Sequence, residues 1–226
     1  MRVSKQVTAA VLALLGSAWA FAVWSAPVDA RQGEIARIVF VHPPLAFAAY
    51  LGFGLTALAG GVFLARRSER WDRFAVASAE VGVVFCTLML LTAVIWAKAA
   101  WGKWWSWDPR TTVTLLLYLI YVAYLLLRAY AEGSERAARF GAVYAIAGLA
   151  VIPLNYFAIE LAGGRAIHPD NVGRGSFGPG MLAPFLLGIA ACLAAFAFLV
   201  VRRFELGELR AERAEQLARA AQREGA

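Results

Sequence analysis

The chain alternates between long apolar runs and short polar connections. Runs at roughly 7–26, 44–65, 74–97, 111–130, 138–160 and 181–201 are each about 20 residues long and nearly free of charge, the length a helix needs to cross ~30 Å of hydrocarbon. The pattern predicts an all-α integral membrane protein with six transmembrane helices in one membrane domain, residues 1–203. Residues 204–226 alternate Glu and Arg on an Ala-rich background and predict a solvated, charged helical tail.

Local chemistry marks several boundaries. Asp108 followed by Pro109 predicts an N-cap and a first-turn proline for the fourth span. Pro43-Pro44 removes two backbone donors, so the second span begins there. The stretch from Gln32 to Val41 predicts a short interfacial helix with Glu34 and Arg37 on its wet face. Arg2 and Lys5 precede the first run, and Ala18-Trp19-Ala20 has the small-residue form of a signal-peptide cleavage site. The run is long for a signal-peptide core, which favours retention as a helix.

Composition agrees with a membrane solvent. Of 226 residues, 61% are hydrophobic, and mean hydropathy is +0.63, where soluble domains are about half apolar. The two cysteines, Cys86 and Cys192, lie in different apolar runs and form no Cys-x-x-Cys or Cys-x-x-Cys-His motif. They predict buried thiols rather than a disulfide framework or a thioether haem attachment. A net charge of +7 would suit nucleic acid, but its placement follows topology instead. Two Lys or Arg precede the first span, four lie at 66–73, three at 128–139 and six from Arg202 onward, fifteen of the 22 in all; seven occupy the alternate loops. Positive residues collect on the cytoplasmic side, so both termini face the cytoplasm and the loop near 98–110 faces outward. No nucleic-acid partner is expected.

That outward loop carries the most unusual chemistry. Five of the eight tryptophans fall between positions 96 and 107, four of them in Trp101-Gly102-Lys103-Trp104-Trp105-Ser106-Trp107-Asp108-Pro109-Arg110. Indole rings offer stiff, flat apolar area with a polar N–H at the edge, a surface fit for a flat, greasy cofactor. Trp19, Trp24, Trp71 and Trp96 fit an ordinary interfacial belt. The only two histidines, His42 and His168, lie in the outward loops before and after the Trp loop. Neutral imidazole is a good iron ligand, and two on opposite porphyrin faces give six-coordinate haem. Lys103, Arg110, Arg165 and Arg174 are candidate partners for propionates.

Other polar residues leave alternatives open. Glu80 in the third span either faces a polar crevice or reaches water at the cytoplasmic end. Asn155 beside Pro153 would satisfy backbone groups freed by that proline. Gly173-Arg174-Gly175-Ser176-Phe177-Gly178 matches G-x-G-x-x-G, but it follows no strand and reads as a loop. No Gly-x-x-x-x-Gly-Lys-Ser/Thr sequence is present, so any ATP-driven step belongs to another subunit.

The Trp loop, W-G-x-x-W-x-W-D followed by Pro-Arg and an apolar span, closely resembles the tryptophan-rich "WWD" signature of haem-handling membrane proteins in cytochrome c maturation. With six spans and one histidine on each flank, the chain resembles the haem exporter protein C family (CcmC) over nearly its whole length. The resemblance implies that Trp101, Gly102, Trp104, Trp105, Trp107, Asp108 and Arg110 contact non-covalent haem b, with His42 and His168 as axial iron ligands. One departure is that Leu161 to Ile167 contains no aromatic residue, whereas the family usually places aromatics just before the second histidine. The resemblance further implies a multi-pass protein of the bacterial inner membrane that is not an enzyme. It would deliver haem to a CcmE-like periplasmic chaperone, alongside CcmA- and CcmB-like ATPase and permease subunits and a small CcmD-like subunit. Two other readings are a haem lyase subunit acting directly on apocytochrome, and a permease whose Trp loop is only interfacial.

Overall fold

The computed structural model describes residues 4–29, 32–131, 134–163, 165–169, 172 and 177–224. These residues are helical throughout, apart from connecting loops and one isolated bridge between Asp29 and Gly33. The helices are α1 (Lys5–Ser25), α2 (His42–Arg66), α3 (Glu69–Trp101), α4 (Pro109–Tyr130), α5 (Glu135–Leu149), α6 (Val151–Tyr156), α7 (Ala158–Leu161) and α8 (Leu182–Glu224). A 3₁₀ segment, Glu34–Phe40, precedes α2. Among the described residues, six helical stretches are long and apolar enough to span a membrane, with α5 and α6 together forming the fifth.

Capping explains most of the ends. Ser4 and Ser134 accept from the N–H groups of Val7 and Ala137 to start α1 and α5, and Asp108 does the same for α4 from Arg110 N–H at 3.0 Å, with Pro109 following. Gly102 ends α3 at φ 73°, a left-handed conformation that costs glycine nothing. The fifth span is interrupted at Ala150 and Phe157 around Pro153, which cannot donate to the helical ladder.

The core is built on α2 and α3, which touch almost backbone to backbone. A Cβ placed on Gly52 would lie 2.7 Å from Gly82 Cα. Phe53 of α2 stacks on Tyr121 of α4 at 3.8 Å, and the Tyr121 hydroxyl donates to the carbonyls of Phe53 and Ala145. This ties α2, α4 and α5 together with no polar atom left over at the ring. Leucines on the outer surface, Leu14, Leu58 and Leu119 among them, are exposed, as expected where the surroundings are lipid.

Several polar residues find partners that no single helix reveals. Arg37 is only partly exposed: besides its ion pair with the exposed Glu34, it donates to the carbonyls of Val23 and Trp24 at the C-terminal end of α1. Those carbonyls have no partner within their own helix. With Trp19 Nε1 donating to Phe40 O at 2.7 Å, this fastens α1 to the 3₁₀ segment. Glu80 is partly exposed and pairs with Arg203 on α8, at the end of the bundle that carries the charged tail. Asn155 does not serve Pro153 but spans three helices, accepting from Tyr50 at 2.6 Å and donating to Thr114 Oγ1 and Arg110 O. Its fully buried side chain finds these partners on neighbouring helices. Finally, α8 runs unbroken from the sixth span through residue 204 into the tail. Its first charged turns pack on α3 through Arg73–Glu208 and the Phe74–Phe204 contact.

Candidate functional site

The two histidines, 126 positions apart, meet at one end of the bundle. Their ring centroids lie 6.4 Å apart, with the planes inclined at 45°. His42 is the first residue of α2 and faces α3, where its Nδ1 lies 3.2 Å from Met89 O and 3.0 Å from Thr92 Oγ1. The Thr92 hydroxyl donates to Met89 O at 2.8 Å, which leaves its lone pairs to accept from His42. His168 Nδ1 lies 2.7 Å from Pro169 O. A carbonyl oxygen only accepts, so both rings carry their proton on Nδ1 and present a bare lone pair at Nε2. Among the described residues neither Nε2 has a hydrogen-bond partner.

Burial lowers the pKa of His168, and the positive charge of Arg110 acts in the same direction, while the bond to Pro169 O and the Asp108 carboxylate oppose them. The ring is therefore neutral near pH 7, the form that ligates metals.

A cavity of about 550 Å³ opens on one side of the pair. Phe47 and Tyr50 of α2, Leu90 and Trp96 of α3, Arg110 and Thr114 of α4, and Tyr156 of α6 contribute to its walls. Trp101, Trp104 and Trp105 line a separate small recess that shares His42, His168, Trp96 and Thr111 with the cavity. Trp105 Nε1 and Ser106 Oγ are buried there without hydrogen-bond partners, an arrangement that leaves polar atoms to be satisfied by something bound.

The tryptophans of the loop differ in burial and in what they line. Trp101 ends α3, and Lys98 holds the turn by donating to Gly102 O at 3.0 Å while its ammonium sits 5.7 Å from the Trp104 ring. Trp105 and Trp107 meet edge to face at 5.8 Å, yet Trp107 is 75% exposed and lines neither cavity. Of the candidate cations, Arg110 lines the large cavity and donates to Tyr156 O at 2.6 Å. Arg165 is exposed and donates to Ala162 O, and Lys103 is exposed. Arg174, like most of the glycine motif around it, lies outside the described residues.

Trp96 is a correction. Far from forming part of an outer belt, it is 8% exposed, packs edge-on against His42 at 5.9 Å and donates to Gln32 Oε1. Its signal was present in the spacing, since Met89, Thr92 and Trp96 recur at helical intervals and share the α3 face that meets His42. Asp108 also does more than cap. Its Oδ2 accepts from the backbone N–H groups of Ile167 and His168, at 2.7 and 3.3 Å.

Known proteins match this chain along most of its length. The model of the family described as CcmC, Heme exporter protein C, matches residues 1–219. Heme exporter protein C of Haemophilus influenzae is 31% identical over 201 residues, covering 86% of this chain and 80% of that protein. Its Paracoccus denitrificans counterpart is 33% identical over 152 residues, 67% of this chain and 62% of that protein. A Marchantia polymorpha mitochondrial protein, described as ccmC-like in cytochrome c biosynthesis, is 30% identical over 178 residues, 78% of this chain and 74% of its own length. With six membrane-spanning helices and a family match across nearly its whole length, this multi-pass membrane protein belongs to the Heme exporter protein C (CcmC) family.

Proposed function

We propose that His42 and His168 hold haem b through its iron at the outer face of the bacterial inner membrane, beneath Trp101, Trp104 and Trp105, for delivery to a periplasmic chaperone. The observation that carries the reading is that each Nδ1 meets a carbonyl oxygen, which leaves Nε2 as the free nitrogen of two rings whose centroids lie 6.4 Å apart. Two metal–imidazole bonds of about 2 Å each, with the ring radii added, span roughly 6–7 Å, and the rings stand 6.4 Å apart.

The rest of the site fits a large, flat, mostly apolar cargo with acidic groups. Trp96, Trp101, Trp104 and Trp105 supply aromatic area, and Arg110 puts a guanidinium beside the cavity as the first choice for a propionate. Trp105 Nε1 and Ser106 Oγ supply donors. Gly102 allows the turn that ends α3 and opens the loop, with Trp107 on its exposed side and Asp108 buried beneath. Bound haem contributes a reactive vinyl edge for the acceptor to attack, and the chain's own task is to bind, orient and release.

The sidedness rests on the distribution of Lys and Arg, which puts both termini in the cytoplasm. A CcmE-like acceptor, CcmA- and CcmB-like ATPase and permease subunits and a small CcmD-like subunit complete the assembly. Delivery is tested by mixing haem-loaded protein with the membrane-tethered acceptor in detergent. Haem should move to the acceptor from the wild-type chain; no transfer in any assembly state would refute a delivery role. A reporter fused after Arg110 should be active outside the cytoplasm, and cytoplasmic activity would reverse the topology.

A further inference from the structure

Asp108 is 5% exposed and spends its two oxygens on different loops. Oδ1 accepts from Arg110 N–H at 3.0 Å and caps α4. Oδ2 accepts from Ile167 N–H at 2.7 Å and His168 N–H at 3.3 Å. The Trp loop and the loop bearing the second histidine, 60 positions apart, are thus joined through one side chain. The histidines are held differently. His42 begins a 25-residue helix and is fixed by its ring to α3. His168 lies in an irregular segment, and among the described residues its ring bonds to the neighbouring Pro169 O alone. A bond to the next residue moves with the loop and cannot locate it, so the carboxylate is what places this histidine opposite its partner.

We propose that Asp108 is a positioning residue for His168: Oδ2, through the amides of Ile167 and His168, holds that imidazole at ligation distance from His42 and transmits movement of the Trp loop to it. The inference rests on the haem reading, but the tether itself exists without haem. Charge-assisted bonds from a buried carboxylate to backbone amides are among the stronger ones in proteins. Their coupling means that an acceptor displacing the Trp loop also loosens the second iron ligand.

Capping and tethering can be separated by substitution. In Asp108→Ser a single short hydroxyl keeps the cap on Arg110 N–H and cannot reach the second loop. In Asp108→Ala both are lost, and in Asp108→Asn one oxygen remains while an amide donor faces two N–H groups. The first readout is amide hydrogen exchange of the segment at 165–169 in haem-free protein. Exchange should quicken roughly ten- to a hundredfold in Asp108→Ser, with protection at the start of α4 unchanged. The second is the absorption spectrum after haem loading: Asp108→Ser should lose the six-coordinate low-spin form and regain it with added imidazole, as His168→Ala should.

Wild-type exchange at 165–169 in Asp108→Ser would overturn the tether whatever the haem result. Faster exchange with an unchanged low-spin spectrum would overturn the positioning of the ligand. If the wild-type protein took up no haem while Asp108→Ser still exchanged faster, the tether would stand and the ligand assignment would fall. If Asp108→Ser fails to fold, the same two measurements on Asp108→Asn decide the matter.

Discussion

Substituting Gly52 by alanine perturbs the crossing on which the site is mounted. A Cβ there would lie 2.7 Å from Gly82 Cα, 3.0 Å from the Phe196 ring and 3.1 Å from Ser78 O. Comfortable carbon–carbon contact needs about 3.5–4.0 Å, so α2 and α3 must separate by roughly 1 Å. Two of the three obstacles are backbone and cannot swing aside. Overpacking of this kind costs about 1–3 kcal/mol, against which the better helix propensity of alanine returns about 1 kcal/mol. Gly54, two residues along the same helix, has nothing within 4 Å of its Cβ position and serves as the control. Because His42 at the start of α2 bonds to Met89 O and Thr92 on α3, a separation at Gly52 also reaches His42. The assay is thermal unfolding in detergent, at about 2–4 °C per kcal/mol for a chain of this size. Gly52→Ala should melt lower than wild type and Gly52→Val lower still, while Gly54→Ala melts at or above wild type. Equal melting of Gly52→Val and Gly54→Ala would refute the close crossing.

Other expectations follow from single contacts. Thr92→Val removes one of two acceptors at His42 Nδ1 and should weaken haem retention by about 10–100-fold, as second-shell losses do, with little change in melting temperature; unchanged retention by dialysis against apomyoglobin would contradict it. Since the folded-state pKa of His168 is depressed, the unfolded or displaced loop binds the proton better, so the neutral ring favours the assembled site above the ordinary pKa and loses that advantage as pH falls through it. Titrating haem-loaded protein downward from about pH 7.5 through 6.5 should release the His168 side first, and His168→Ala should abolish this pH dependence. Arg203→Met leaves Glu80 of α3 without its partner and should lower stability by up to about 1 kcal/mol, since both side chains are partly exposed, with partial recovery in the Glu80→Gln, Arg203→Met double variant; no recovery in a double-mutant cycle would mean that the two do not interact.

The six spans were legible because lipid imposes one rule on every helix, about 20 apolar residues with no unmet backbone groups. Asp108 as cap and Pro109 as first residue were legible because both act within one turn. Residues whose partners lie on other helices were not legible. Glu80 meets Arg203 across 123 positions, and Asn155 reaches Tyr50 across 105. Hydropathy along one helix says nothing of which neighbour faces it. The same limit hid Trp96, which by composition alone is an interfacial tryptophan and by packing is the wall beside His42. It also concealed the division of the Trp loop: Trp105 turns inward and Trp107 outward, although the two are only two positions apart. Residue type and side of the membrane put the histidines in one neighbourhood; the bonds that orient their rings are visible only in three dimensions.

Ligation by both histidines is most directly tested by the absorption spectrum of protein purified from haem-replete cells, compared with His42→Ala and His168→Ala. Two axial imidazoles predict six-coordinate low-spin bands in the wild-type protein, replaced by high-spin bands or lost in each variant and restored by added imidazole. A folded but colourless wild-type protein, or a low-spin spectrum that survives either substitution unchanged, would contradict it.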